Sequence, residues 1–412
     1  MRVLISGGGI AGLTLAYWLN RYGISSVVIE QAAEIRRDGY GLAFSGAGYE
    51  VARRMGLIER LASQQLPFEA IAYVTKTGKR IAKLDSTLMQ EIMGGKYMPL
   101  LRSTLEETLY SILPDQVEVR FGCTLTQVTQ GPESVTVTFN DGTTESFDLL
   151  IGADGVHSKT RSLVFGPEEQ FARYLGYNIA CFPLTDRYGI DLNWKMHLEP
   201  GRLASAYCTQ RAGEIVTFFM YQADKHEHIP RAQRLAHLQE RFASVGWVTQ
   251  LMLKDATEPE RIFMDTVFQI EMPAWHAGRV ALIGDACGSL TFISMQGAAL
   301  AMGGAYLLAR ALHECADHQE AFQRYEAQMR PHVLTQQKNA RLISKFFLPG
   351  NSFAMFMQNT MMRILFRRAF RKLLHLQFGA EYVELPAESG PVPSTMQEEA
   401  ASQRGGKCRV KS

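Results

Sequence analysis

The chain has 412 residues, of which 46% are apolar and 20% charged, with a formal net charge of +2. That length exceeds one small core, so two units or one large α/β unit are expected, and the near-neutral charge excludes bulk nucleic-acid binding, which needs a concentrated basic surface. Six cysteines, at 123, 181, 208, 287, 315 and 408, form no CxxC pair and no cluster with histidine, so no metal site is expected and a reduced, cytoplasmic chain fits.

Val3 to Asn20 carries no charge and lies between Arg2 and Arg21, which mimics a secretory signal or a membrane span. Gly7, Gly8, Gly9 and Gly12 interrupt the run. A strand, turn and helix explain those glycines; a signal does not. Arg2 to Ser6 reads as a buried strand, Ile10 to Tyr22 as a helix and Ser26 to Glu30 as a second buried strand, a βαβ unit with a parallel pair. The spacing Gly7-x-Gly9-x-x-Gly12 assigns each glycine a task. Gly7 allows the tight turn, Gly9 lets the backbone approach a pyrophosphate, and Gly12 lets helix and strand pack closely. The helix start at Ile10 and Ala11 offers free N–H groups and a partial positive charge to a diphosphate. Glu30, with Gln31 after it, ends the second strand. Its carboxylate can accept bonds from an adenosine ribose and would repel a 2′-phosphate, so NADP is disfavoured at this site. The fingerprint alone does not choose between FAD and NAD.

Tyr73–Thr75 and Arg80–Leu84 flank a turn and read as a hairpin. Ser103 to Ile112 reads as a helix with a capping box, Ser103-x-x-Glu106, and Pro114 beyond its end. Arg102 stands just before it, where a cation is disfavoured unless it serves a phosphate or ribityl oxygen; a surface arginine is the alternative. Strands follow at Val117–Phe121, Leu125–Thr129 and Val135–Phe139, and Asn140-Asp141-Gly142 turns the chain into Glu145–Ile151. Asp154-Gly155 then ends a buried strand, with Ser158 and Arg161 in a helical start, and reads equally as an ordinary turn or a binding turn. From Tyr177 to Phe268 the strands are longer and aromatic-rich, which points to a larger mixed sheet with a helix at Arg231–Val245 inserted. Val280–Ile283 delivers Asp285 to a strand end, where open α/β sheets bind ligands. Gly297 opens a helix whose first N–H groups, at Gly297, Ala298 and Ala299, would stabilise negative charge at the N1/C2 end of a flavin. Helices run to about Phe378, and 386–412 reads as a disordered tail.

The fingerprint with Glu30, then "RSTLEETL", "GADGVHSKTR" and "GDACGSLTFISMQG" resemble, in order and spacing, the single-component flavoprotein monooxygenases of the para-hydroxybenzoate hydroxylase fold. "AYWLNRYG", "DLLIGADGVHSKTR" and "GRVALIGDA" are most similar to the branch of tetracycline-inactivating and antibiotic-tailoring enzymes. The resemblance spans roughly Met1 to Leu385. It implies an α/β fold in which a Rossmann-type FAD unit (1–72, 95–170, 278–345) interleaves with a mixed-sheet substrate unit (73–94, 171–277), followed by bridging helices (346–385). It implies FAD held by Gly7, Gly9, Gly12, Glu30, Arg36, Arg102, Asp154, Gly155, Asp285, Gly297 and Ala298, with Ile10, Ala11 and Gln31 beside them. NADPH or NADH would bind transiently, and O2 would react through a flavin C4a-hydroperoxide with an apolar, electron-rich substrate. The chain departs from the family's usual spelling at Cys287-Gly288, where Ala-His is common, at Phe292 for proline, at Met295 for the first glycine of GxG, and at Ser45 for a frequent arginine.

Phe292 and Met295, with Phe219 and Tyr221 of the larger sheet, are the expected substrate-pocket residues. His197, Tyr207 and Tyr221 are the acid/base candidates, each more readily explained as structural. Two rivals remain. One is a reductase or halogenase on the same fold, although the four tryptophans are isolated and form no WxWxIP. The other is an FAD protein that sequesters a ligand without turnover. "RILFRRAFRKLLHLQF", 363–378, reads as a domain-bridging helix with a basic face or as a peripheral membrane contact. The oligomeric state is open, with a monomer slightly favoured. Phe292→Pro and Met295→Gly are expected to change the flavin absorption spectrum or the coupling of reductant use to product; unchanged values for both would remove these side chains from the ring's surroundings.

Overall fold

The computed structural model describes residues 1–35, 39–67, 69–291, 296–366, 368–370, 383 and 385–387. The fingerprint strand, Arg2–Ser6, is buried along Val3 to Ser6 because both of its faces are covered. It pairs in parallel with Ser25–Glu30 on one side and Leu149–Gly152 on the other. Val280–Leu282 extends the sheet beyond Leu149–Gly152, Glu118–Phe121 extends it beyond Ser25–Glu30, and the antiparallel pair His276–Ala277 ends it. Strand order therefore reverses beside Arg2–Ser6, where open α/β sheets form a ligand crevice. The helices Ile10–Arg21 and Gly297–Glu314 pack together on this sheet, with Trp18 edge-on to Tyr306 at 4.8 Å.

One expected strand is two. Glu145–Ile151 divides into Thr144–Phe147, in a three-stranded sheet with Val135–Phe139 and Leu125–Gln130, and Leu149–Gly152 in the central sheet. The divider is Asp148. Its N–H donates to the Arg2 carbonyl at 3.0 Å and its carboxylate accepts the Arg2 N–H, so the chain changes sheets at one residue.

The second large sheet has seven strands, in the order Phe263–Ile270, Ala172–Thr185, Glu214–Gln222, Arg202–Cys208, Asn193–Glu199, Ala70–Val74 and Arg80–Asp85. The Ala70–Asp85 hairpin thus joins through a parallel pairing with Asn193–Glu199, made across a long stretch of sequence. Residues alternate faces along each strand. Phe219 and Tyr221 pack with Leu238, Phe242 and Met252, while Phe218 and Met220 pack with Met196 and Leu203. The helix expected at Arg231–Val245 is regular only over Arg234–Arg241, after a 3-10 turn at Arg231–Gln233 that follows Pro230.

The chain closes with His318–Phe347 and Ser352–Leu365. Most of the basic segment expected as one helix over 363–378, and the tail 388–412, lie outside the described residues. Among the described residues, no helix is long and apolar enough to cross a membrane.

Arg161 and His157 are among the side chains that join the parts. Arg161 is fully buried and donates to the carbonyls of Ala286 (3.0 Å) and Val156 (2.6 Å) and to Glu168 (2.9 Å), tying together the turns that follow two central strands. His157 reaches Glu168 at 3.0 Å and Asp265, on the second sheet, at 3.2 Å. Those two carboxylates, Asp265 foremost, raise its pKa from 6.5 to about 10. The contribution is therefore full below pH 6.5 and lost as pH rises through about 10. The ring is 55% exposed, so solvent screening holds the effect to about 1 kcal/mol or less. His157→Gln is expected to lower Tm at pH 6, with the gap to wild type closing as pH approaches 10; thermal melts across that range check it.

Candidate active site

A cavity of about 2470 Å³ is lined on one side by the ends of the central strands and on the other by the seven-stranded sheet. Ordinary small-ligand pockets hold about 300–1,000 Å³, so this one has room for more than one ligand. Gly7, Gly9, Ile10, Ala11, Glu30, Gln31, Arg102, Asp154, Gly155, Asp285, Gly297 and Ala298 all line it. Gly12 sits behind the first turn. Arg36, Phe292 and Met295 lie outside the described residues.

The fingerprint glycines divide by cause. Gly7 has φ +115°, and a Cβ there would lie 2.4 Å from the Ala153 carbonyl oxygen. At Gly12 a Cβ would meet the Gly7 carbonyl oxygen at 1.9 Å. Those two are required by the protein's own packing. At Gly9 a Cβ would meet nothing closer than Glu106 Oε1 at 3.5 Å. The fold has room for a side chain at position 9, so the open backbone serves whatever enters the cavity. The helix begun at Ile10 has no side-chain cap, which leaves its first N–H groups for an anion. Glu30 accepts from the Gly8 N–H with Oε2 and from the Ala32 N–H with Oε1, each at 2.9 Å. Each oxygen keeps a lone-pair direction for a ribose hydroxyl. This cradle fits the adenosine diphosphate half of FAD.

Opposite it, Arg102 is the first residue of the helix Arg102–Ser111, not the residue before it. The expected Ser103–Glu106 capping box does not form, because the Glu106 carboxylate takes the Arg102 Nε–H at 3.0 Å instead. The helix start is held by the Arg102 N–H donating to the Tyr40 carbonyl at 3.0 Å. Glu106 beside it holds the Arg102 guanidinium firmly protonated. Burial raises the Asp285 carboxyl above the usual carboxylate range, a shift that Arg102 opposes and Asp265 reinforces. A cation and an acid thus border the middle of the cavity. Gly297 opens its helix without a side-chain cap, and a Cβ there would meet nothing within 4 Å.

Asp154 is spent on its own turn. It accepts from the Ser158 hydroxyl and from both the N–H and hydroxyl of Thr160, each at 2.8 Å for Thr160, while Gly155 turns at φ +78°. Sequence left a structural and a binding reading of this turn open; the carboxylate's bonds are structural, and Gly155 borders the cavity.

The far half of the cavity is apolar, with Trp194, Met196, Leu203, Val216 and Phe218 on its wall. Phe219 and Tyr221 are not among its lining. Phe219 stacks on Phe182 at 5.5 Å, and the Tyr221 hydroxyl bonds His237 Nε2 at 2.8 Å, both on the helix-covered face. Strand alternation at Phe218 was the signal that separates the two faces. His197 is buried between the Val74 carbonyl (3.0 Å) and Glu199 (3.3 Å), away from the cavity. Tyr207 does line it; its hydroxyl accepts the Gly41 N–H, and burial pushes its pKa well above the ordinary value. Tyr40, beside Arg102, is a cavity residue that no sequence pattern marks. Among the described residues, no group of His, Cys, Asp or Glu could hold a metal ion.

A family model described as an FAD binding domain matches residues 1–340. A flavin-dependent monooxygenase from an unknown prokaryotic organism is 32% identical over 355 residues, covering 84% of this chain and 90% of that protein. Another, from Legionella longbeachae serogroup 1, is 31% identical over 361 residues, again 84% and 90%. Among solved structures, the tetracycline destructase Tet(51) matches with a TM-score of 0.79 and 25% identity over 94% of this chain and 99% of its own. Klebsiella pneumoniae HpxO complexed with FAD and uric acid matches with a TM-score of 0.77 and 25% identity over 92% and 96%.

Gly9→Ala is expected to fold with an unchanged apo Tm and to bind FAD at least roughly tenfold more weakly. Gly12→Ala is expected to lose several °C of Tm, because its Cβ has no space. Fluorescence titration with FAD and thermal melts separate the two.

Proposed function

The chain belongs to the FAD-binding family of flavin-dependent monooxygenases, and from that premise we propose that it consumes NADPH or NADH to insert one oxygen atom of O2 into an apolar, electron-rich, polycyclic phenol or enol. The observation that carries this reading is the continuity of one cavity from the glycine fingerprint to the apolar wall at Met196, Leu203 and Phe218. When bound, FAD supplies the redox and oxygen-activating chemistry.

The chain's residues supply binding, orientation and dryness. Gly9 and the Ile10 helix start receive the diphosphate, and Glu30 the adenosine ribose. Arg102 and Asp285 would hold the polar chain of the cofactor, and the Gly297–Ala298 N–H groups would stabilise negative charge on its ring. The apolar wall keeps water from the reacting carbon, which limits the side reaction to hydrogen peroxide. Burial holds Tyr97 and Tyr207 protonated, so neither is a base. A phenol or enol fits because it can be activated through its own hydroxyl. With its acceptor site taken by the Gly41 N–H, the Tyr207 hydroxyl still has its proton to donate to a substrate oxygen.

Two structural neighbours differ widely in the ligand their names carry. One is named for tetracycline, a large polycycle, and the other is complexed with uric acid, a small polar purine. The volume and apolar wall of this cavity favour the larger class.

Purified protein with FAD should oxidise NADPH or NADH faster in the presence of a polycyclic phenol or enol, and mass spectrometry should find a product heavier by one oxygen atom. Reductant use that yields only hydrogen peroxide across such a panel would overturn the reading. Phe218→Asp should admit water to the wall and raise the peroxide fraction several-fold at unchanged flavin content.

A further inference from the structure

The helix Ser352–Leu365 is apolar on both of its sides. Its inner side is docked through Met362, which is 5% exposed and packs with Tyr177, Leu198 and Leu348. Its outer side carries Phe353 at 74%, Phe356 at 65%, Met357 at 53%, Met361 at 51% and Ile364 at 45% exposure. Those positions follow the i, i+3, i+4, i+8, i+11 spacing of one continuous stripe. A surface helix normally turns a polar face outward, and scattered exposed apolar residues need no explanation; a stripe of this size does. Leu342, on the preceding helix, adds to it at 55% exposure.

The charge of the surrounding chain narrows what suits the stripe. From Ala327 to Ala380 the chain has no Asp or Glu, and it has nine Lys or Arg, at 330, 338, 341, 345, 363, 367, 368, 371 and 372. Arg330 pairs with Glu326 and Arg341 with Glu271, both acids from outside that stretch. Lys338 and Arg363 are exposed. An isologous dimer through this face would bring together two copies of a stretch that has cations and no acid to pair them, which is disfavoured. An anionic surface with an apolar interior satisfies both features at once.

The stripe also rims the cavity. Met357, Met361, Ile364 and Leu342 are exposed to solvent and line the same cavity as Gly9 and Asp285. We propose that the outer face of Ser352–Leu365 docks on an anionic lipid bilayer, with the mouth of the cavity turned toward the lipid. Phe353 and Phe356 enter the acyl boundary, Arg363 meets lipid phosphates, and an apolar substrate reaches the cavity from the bilayer without crossing water. The last step rests on the oxygenation reading; the docking does not.

The test is vesicle flotation of the full chain loaded with FAD, without substrate or reductant. Phosphatidylcholine vesicles are compared with vesicles containing about one third phosphatidylglycerol, at about 0.1 M and about 0.5 M salt. Binding is expected to the anionic vesicles and to weaken at high salt. The double variant Phe353→Ser/Phe356→Ser, and separately Arg363→Glu, should each bind roughly tenfold more weakly at unchanged Tm and flavin content. Absence of binding to anionic vesicles, or equal binding by the serine variant, would overturn the proposal. So would a concentration-dependent dimer that the serine variant abolishes while vesicles have no effect. None of these readouts depends on turnover, so the docking and the oxygenation chemistry stand or fall separately.

Discussion

The Gly7 carbonyl oxygen lies 1.9 Å from where any side chain at position 12 would begin, and the active-site architecture depends on that contact. Glycine at that position lets the Ile10–Arg21 helix seat against the tip of the strand that precedes it. The helix N-terminus is thereby aimed along the strand direction, at the crevice where strand order reverses. The neighbouring strand closes over the same point, with Ala153 against Gly7. Because the three strands Arg2–Ser6, Leu149–Gly152 and Val280–Leu282 run in parallel, their turns emerge at one edge. The buried Arg161 then ties the second turn to the third through the Val156 and Ala286 carbonyls.

A polar edge of this kind sets what can be placed opposite it. The Arg102 guanidinium, its Glu106 partner, the Tyr40 hydroxyl and the Asp285 carboxyl occupy the middle of the cavity, each influencing the protonation of another. Beyond them the seven-stranded sheet presents a mainly apolar and aromatic wall at Trp194, Met196, Leu203, Val216 and Phe218, with Glu214, Asp265 and Thr266 also bordering the cavity. The cavity is therefore divided by nature, one half suited to a charged, hydroxyl-rich cofactor chain and the other to a dry reaction. On the apolar wall, desolvation pushes the Cys181 thiol and the Tyr207 phenol toward their neutral forms.

Several parts of this arrangement were legible in the sequence because they are local. The fingerprint, Glu30, the strand ends at Asp154 and Asp285 and the helix start at Gly297 are each signalled within a few residues by spacing and periodicity, and the structure brings them to one cavity. Other features were misread where a distant partner decides. The capping box at Ser103–Glu106 follows the local rule, yet Arg102 captures Glu106. The run Glu145–Ile151 has uniform strand character, yet Arg2 breaks it at Asp148. Phe219 and Phe218 are adjacent identical residues, and only the layer of helices on one face of the sheet separates a core residue from a cavity residue.

The sequence by itself determined the cofactor cradle, since tight packing at Gly7 and Gly12 and an open backbone at Gly9 call for glycine at fixed intervals, and such intervals are readable in one dimension. The tertiary structure alone decided the apolar half of the cavity. It chose which face of each strand meets the cavity, joined the Ala70–Asp85 hairpin to a sheet more than a hundred residues away in the chain, and turned the second apolar side of Ser352–Leu365 outward. Those outcomes depend on register and on which surfaces are already covered. Both are set by long-range packing, which periodicity along the chain does not encode.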